Sequence, residues 1–362
     1  MRRSGSGYSG YRGRRTWNER LKLTAAALAV LVVLVLVGLV AGQKYIVFTD
    51  HGLRLDLPFS EEQPPVTESP GSVSVVVRPS DGQEEDNVPE EQPAEAPAML
   101  AVELPVESVL DGTAQERMEE LGGSALVLEM KSKEGKLTWS SGQSLANQAG
   151  INGPSEVNEA LRQWNQGEVY TIARICCFQD NTLPYQRNDL ALRATYGNWR
   201  DELGLRWLNP DSGGARAYLA ALCGELAELG FDEIVLEQCA FPARGNLESV
   251  VQSGSFLSGA YAAAVEELLK AAVQAVEPYG AVLSVRCGLA AITGEEGNGG
   301  LTPALLNQYA GRVWTQWEEG SLADVAGKLQ MAGLTGGEDR LVRVVSALDM
   351  EGQGDRACLS EQ

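Results

Sequence analysis

From residue 100 onward, short apolar runs alternate with stretches of helical periodicity, and that alternation constrains the fold more than any other feature. Strands are expected at 100–106, 125–130, 170–177, 234–237, 282–287, 312–315 and 341–348. Helices are expected at about 113–121, 155–164 and 258–276, and one more carries Leu219, Leu222, Leu226 and Leu229 ahead of Gly230, placed as a C′ glycine. Strands separated by helices run parallel, because the crossover returns the chain to the same end of the sheet. The length fits an α/β chain of the (β/α)8 TIM-barrel type, typically ~250 residues. An open doubly wound sheet is the competing architecture. Its nucleotide-binding forms lose support, since no GxGxxG or GxxxxGK followed by Ser or Thr opens a helix after a strand. Seven strands can be counted rather than eight, and the tail after the seventh is too short for a helix and another strand. The barrel is therefore expected to be incomplete or atypically closed, with residues just beyond the N-terminal apolar run as candidates for the missing segment.

That run covers residues 23–42, without a charge, and follows a segment (1–22) of seven basic residues and one acid. At ~1.5 Å per residue it spans a hydrocarbon core of ~30 Å, whereas the apolar region of a signal peptide is only ~7–15 residues. A single-pass transmembrane anchor in the cell membrane is expected, with the basic N-terminus inside and the rest outside. Cleavage after Gly42 is the alternative. Residues 43–59 form a juxtamembrane segment able to pair as a strand. Residues 60–98, with ten acids against one base, form an acidic, Pro-rich linker. The barrel takes 99–362.

A net charge of −20 argues against nucleic acid, whose phosphates need a basic surface. One histidine and the lack of a CxxC pair argue against zinc and against a Ser-His-Asp triad, and no cofactor is expected. Cys176, Cys239 and Cys287 fall within or just after strands and Cys223 in a helix, where free Cys packs as a small hydrophobe, so no disulfide is required.

In such barrels the chemistry lies where strands run out into loops. Glu237 ends the fourth strand in GFDEIVLEQCAFP and is the first carboxylate to consider. Glu129 ends the second strand, Asp180 follows the third, Glu295 and Glu296 follow the fifth, and Asp349 follows the seventh. Lys131, Arg174 and Arg286 either bind substrate or neutralise these acids. The long loop 179–210 holds Tyr185, Tyr196, Trp199 and Trp207, whose flat faces suit sugar rings. Trp199 is expected to stack on a sugar, and Trp207 either to do so or to pin the loop.

VLEMKSKEGKLTW at 127–139, YTIARICCFQD at 170–180, WRDELGLRWLNP at 199–210 and ELGFDEIVLEQCAFP at 228–242 stand in the order and spacing of a known family. Over roughly 99–290 the chain resembles a divergent member of the putative glycosyl hydrolase barrel domain of uncharacterised Gram-positive envelope proteins. The resemblance implies hydrolysis of an envelope or extracellular polysaccharide, with Glu237, Asp180 and Glu129 as catalytic candidates. It implies substrate contacts from Lys131, Arg174, Trp199, Trp207, Asn209 and Arg286. This chain departs from the pattern with EMKSKEG for approximately DVKDDSG and LEQCAFP for FDYVRFP. Glu237 thus replaces an aspartate, Gln238 a tyrosine and Ala240 an arginine, and VWTQWEEG replaces a Pro-Met-x-Tyr-Pro segment. A misplacement near 1 Å can cost on the order of 10²-fold in rate. Two classes follow: a membrane-tethered glycosidase, or an inactive barrel that binds glycan or acts as a scaffold.

Overall fold

The computed structural model describes residues 46–49, 52–55, 98–251, 260–295, 297, 299–348 and 353–359. The chain divides into two units, Met1–Pro89 and Glu90–Gln362. In the first, β1 (Ile46–Thr49) pairs antiparallel with β2 (Gly52–Leu55). The expected membrane anchor, the basic segment ahead of it and all but the last residue of the acidic linker lie outside the described residues. Among those described, no helix is long and apolar enough to cross a membrane.

The second unit is a closed barrel of eight parallel strands rather than an open sheet. Its strands are β3 (Leu100–Glu103), β4 (Ala125–Lys131), β5 (Tyr170–Cys176), β8 (Glu233–Glu237), β9 (Val282–Arg286), β10 (Val313–Gln316), β11 (Leu341–Val345) and β12 (Asp355–Cys358). The short β6 (Arg193–Ala194) and β7 (Gly197–Asn198) form a separate hairpin in the loop after β5.

The eighth strand is the polar tetrapeptide of β12, which sits between β11 and β3. Residues beyond the apolar run do not fill that place, because β1 and β2 pair with each other. The nine residues 346–354 suffice for the return crossover. A four- or five-residue strand is only about 13–17 Å long, and nine linking residues reach up to about 30 Å, so no intervening helix is needed.

Alternation along the strands decides what fills the barrel. On β8, Ile234 and Leu236 face outward into the main core, which includes residues of the helices Gly213–Glu228 and Tyr261–Val276. Glu233, Val235 and Glu237 consequently face inward. Trp314 occupies the middle of the barrel, where Ala101, Ala125 and Ala357 leave room for an indole. Its Nε1 donates to Glu233 Oε1 at 2.9 Å. Glu233 Oε2 also accepts from Arg312 at 2.7 Å and from the Tyr170 hydroxyl at 3.1 Å. Asp355 on the closing strand accepts from the Met99 backbone N–H at 2.8 Å and lies 3.6 Å from Arg312 Nε. This polar plug seals the N-terminal end of the barrel and leaves the opposite end for chemistry.

The helices start and stop as local chemistry dictates. Ser212 caps Gly213–Glu228 by accepting from the Ala215 N–H at 3.3 Å, and Gly230, at φ +93°, follows its end in a left-handed conformation. Glu156–Trp164 differs from expectation, because Ser155 makes no side-chain cap. Asn158 instead clamps Ser140 through its N–H and C=O, both at 2.9 Å.

Candidate active site

Five inward-facing side chains meet at the C-terminal ends of neighbouring strands: Glu103 on β3, Glu129 on β4, Arg174 on β5, Glu237 on β8 and Arg286 on β9. Strand register puts Glu129 opposite Arg174 and Glu237 opposite Arg286. Arg174, almost wholly buried, is the hub. Its Nη1 donates to Glu237 Oε2 at 2.8 Å, and its Nη2 donates to Glu129 Oε1 at 3.2 Å and to Glu103 Oε1. Arg286 donates to the other Glu237 oxygen. A buried guanidinium without such partners would be strongly destabilising. Burial works against the Arg174 charge, and the carboxylates of Glu237, Glu103 and Glu129 outweigh it, leaving Arg174 more basic than a free arginine.

The carboxyls differ in exposure. The Glu103 and Glu237 side chains are only 5% and 7% exposed, whereas that of Glu129 is 36% exposed. Partial burial, the largest influence, raises the Glu129 carboxyl above the ordinary range. Arg174 opposes the rise and Glu103 and Glu237 add to it. Glu129 and Glu237 hold opposite arms of one guanidinium, so their bonded oxygens are on the order of 8 Å apart at most. Paired carboxyls at a glycosidic bond work at ~5–9.5 Å.

A cleft of about 610 Å³ opens beside this network, with Glu237, Gln238, Arg286, Gln316 and Ser346 as polar lining. Gln238 adopts a left-handed conformation at φ +48°, uncommon for a residue other than glycine. Its carbonyl accepts from the Phe178 N–H at 3.0 Å, so the backbone stays tied to the segment just after β5 while it kinks. Cys239 and Cys287 also line the cleft. Burial pushes the Cys239 thiol up to about 12 and raises that of Cys287 as well, so neither supplies a thiolate at neutral pH. All six cysteines are free. Among the described residues, no group of three or more His, Cys, Asp or Glu is placed to hold a metal.

Lys131 and Asp180 lie elsewhere. They form an ion pair with Nζ to Oδ2 at 3.0 Å and both side chains 0% exposed. Lys131 also donates to the Cys176 carbonyl at 2.7 Å, and Asp180 Oδ1 accepts from the N–H groups of Thr182 and Leu183 at 3.0 and 2.8 Å. A bulge in β4 between Glu129 and Lys131 sets Lys131 opposite Ile175. Gly135 closes over the pair at φ +81°, where an added Cβ would fall 2.1 Å from Asp180 Oδ1. The pair is a buried joint between the end of β4 and the loop after β5, so the expected catalytic role for Asp180 and substrate contact for Lys131 give way to a structural one.

Trp199 is 0% exposed, with its indole N–H donating to the Asn246 carbonyl at 2.9 Å, so it offers no face for a sugar. Trp207 packs edge-on against it at 6.1 Å and donates to Asp201 Oδ2 at 2.9 Å. Both rings pin the loop. Asn209 Oδ1 accepts from the Asp211 N–H at 3.1 Å in a turn leading to the next helix, rather than lining the cleft. Arg286 does line it, while Arg174 is held among the carboxylates. Glu295 is exposed away from the cleft lining, and Glu296 and Asp349 lie outside the described residues. Sequence reasoning missed Glu103. The signal for it was Pro105, which has no N–H to donate and stops the first strand three residues earlier than expected.

A family model described as a putative glycosyl hydrolase domain matches residues 102–298, just over half of the chain. No curated protein matches. Among solved structures, a hypothetical protein from Ruminiclostridium thermocellum ATCC 27405 is 26% identical, with 51% of this chain and 96% of that chain covered, at a TM-score of 0.43. The PgaB (BpsB) glycoside hydrolase domain from Bordetella bronchiseptica is 12% identical, with coverage of 68% and 84% and a TM-score of 0.46. A GH20 exo beta-N-acetylglucosaminidase from Vibrio harveyi is 11% identical, with coverage of 68% and 41% and a TM-score of 0.46.

Proposed function

The chain belongs to the family described as a putative glycosyl hydrolase domain, and on that premise we propose that its barrel hydrolyses a glycosidic bond in an envelope or extracellular polysaccharide. The observation that carries this reading is the pair Glu129 and Glu237 on two arms of Arg174, with Glu237 in the lining of an open cleft and the Glu129 side chain 36% exposed. Glu129, whose carboxyl keeps its proton to higher pH than an ordinary glutamate, protonates the leaving glycosidic oxygen. Glu237 attacks the anomeric carbon or takes a proton from the attacking water. Arg286, reaching Glu237 from the cleft wall, orients that carboxylate and meets substrate hydroxyls. Residues 23–42 tether the barrel to the membrane, with residues 60–98 as spacer and the barrel outside. The test is reducing-end release from cell-wall and extracellular glycans by the full chain, wild type against Glu237→Gln. Release by the wild type alone supports hydrolysis at this site.

One observation favours a second reading. Both Glu237 oxygens are already held by guanidiniums, an arrangement suited to a barrel that binds glycan without cleaving it. In that case the wild type releases no reducing ends, and Glu237→Gln alters glycan affinity only modestly.

A further inference from the structure

Glu103 and Glu129 arrive from adjacent strands at a single nitrogen, Arg174 Nη2. That nitrogen carries two protons, one for each carboxyl, so the acceptor oxygens must lie close together. Two carboxyls so placed do not readily hold two negative charges. Among the described residues, the charged groups facing Glu129 include Glu103 from β3, Arg174 from β5, Glu237 from β8 and Lys133 from its own loop. Arg286 stands beyond Glu237, on the far oxygen. Arg174, which donates to Glu129, also donates to two other carboxyls, those of Glu103 and Glu237. Of the two carboxyls at Nη2, Glu103 is 5% exposed and Glu129 is 36% exposed. Of the two, Glu129 is the one open to solvent and to a substrate arriving through it.

We infer that Glu103 is a positioning residue: by occupying Arg174 Nη2 beside Glu129, it keeps Glu129 in the protonated form that a general acid requires. This rests on the reading of Glu129 as the acid. The direction in which Glu103 moves the Glu129 carboxyl, upward, agrees with it. Replacing Glu103 by Gln removes a neighbouring negative charge, and the neutral amide oxygen competes less strongly with Glu129 for the Arg174 guanidinium. Both changes favour the Glu129 carboxylate.

The experiment is an infrared titration of the full chain, following the protonated-carboxyl band assigned to Glu129 by its loss in Glu129→Gln. In the wild type the band should persist above the ordinary carboxyl value of 4.5. In Glu103→Gln its midpoint should fall by roughly one pH unit, and Glu103→Asp, which keeps the charge, should restore part of the shift. An unchanged midpoint in a folded Glu103→Gln overturns the inference. So does a wild-type midpoint at or below 4.5, which is readable even if Glu103→Gln does not fold. No turnover is needed. A protein that cleaves no glycan but shows the shift loses its hydrolase reading and keeps the role of Glu103. Where turnover is present, the alkaline limb of its pH profile should move down with the band.

Discussion

Arg174 Nη1 holds Glu237 Oε2 at 2.8 Å while its other nitrogen serves Glu103 and Glu129, so Glu237 is one of three carboxyls bonded to the same buried guanidinium. That separates catalysis from stability at this position. Glu237→Gln leaves Arg174 two carboxyls and is expected to remain folded, with turnover down by several orders of magnitude. Calorimetry beside a reducing-sugar assay checks both. A stability loss of about 3–5 kcal/mol would instead make Glu237 an indispensable counter-ion.

Trp199→Ala should destabilise the barrel by about 3–5 kcal/mol, because it removes a fully buried indole and its hydrogen bond to Asn246. Tyr185→Ala, at a side chain 67% exposed, should stay within ~0.5 kcal/mol. Urea titration of the two variants measures this, and equal effects would remove the loop-pinning role from Trp199.

Lys131→Met strands Asp180 in a site with no solvent access and should cost about 3–5 kcal/mol. Adding Asp180→Asn, which keeps an acceptor for the Thr182 and Leu183 N–H groups, should recover part of that loss. Glycan binding by the folded double variant should match wild type. A binding defect there would return the pair to the functional surface.

Glu129 makes stability depend on pH in a stated direction. Its native carboxyl is raised above the ordinary 4.5, so across the interval between those values the native state retains a proton that the unfolded chain has released. The contribution favouring the native state is complete below 4.5 and is lost as pH rises through the native value. Glu129→Gln should abolish that slope in urea midpoints taken across pH. The proposed glycoside hydrolysis should decline over the same alkaline interval.

How far the sequence revealed this site depended on how local each signal was. Glu237 was legible because a buried apolar run ended at it and was followed by a turn. Gly230 was legible because a left-handed glycine after a leucine-spaced helix has one usual meaning. Lys131 and Asp180 were visible as residues, but their seclusion follows from a bulge and from Gly135 folding over them, neither of which has a periodic signature. Trp199 and Trp207 look alike in a polar loop, and their burial is set by contacts such as that with Asn246, far along the chain. β12 was hidden for a related reason. A tetrapeptide with two charged residues has no strand pattern of its own and becomes a strand only because two waiting neighbours supply its hydrogen bonds.

That last strand sets a timetable for the nascent chain. The seam bond from the Met99 N–H to Asp355 joins residues 256 positions apart. At ~5–20 residues per second, β3 leaves the ribosome on the order of tens of seconds before its second partner exists. During that wait its unpaired N–H and C=O groups are an open template for strand addition by another chain. Ring closure thus comes last in the assembly of the barrel, and the interval before it is when a holding chaperone would matter most.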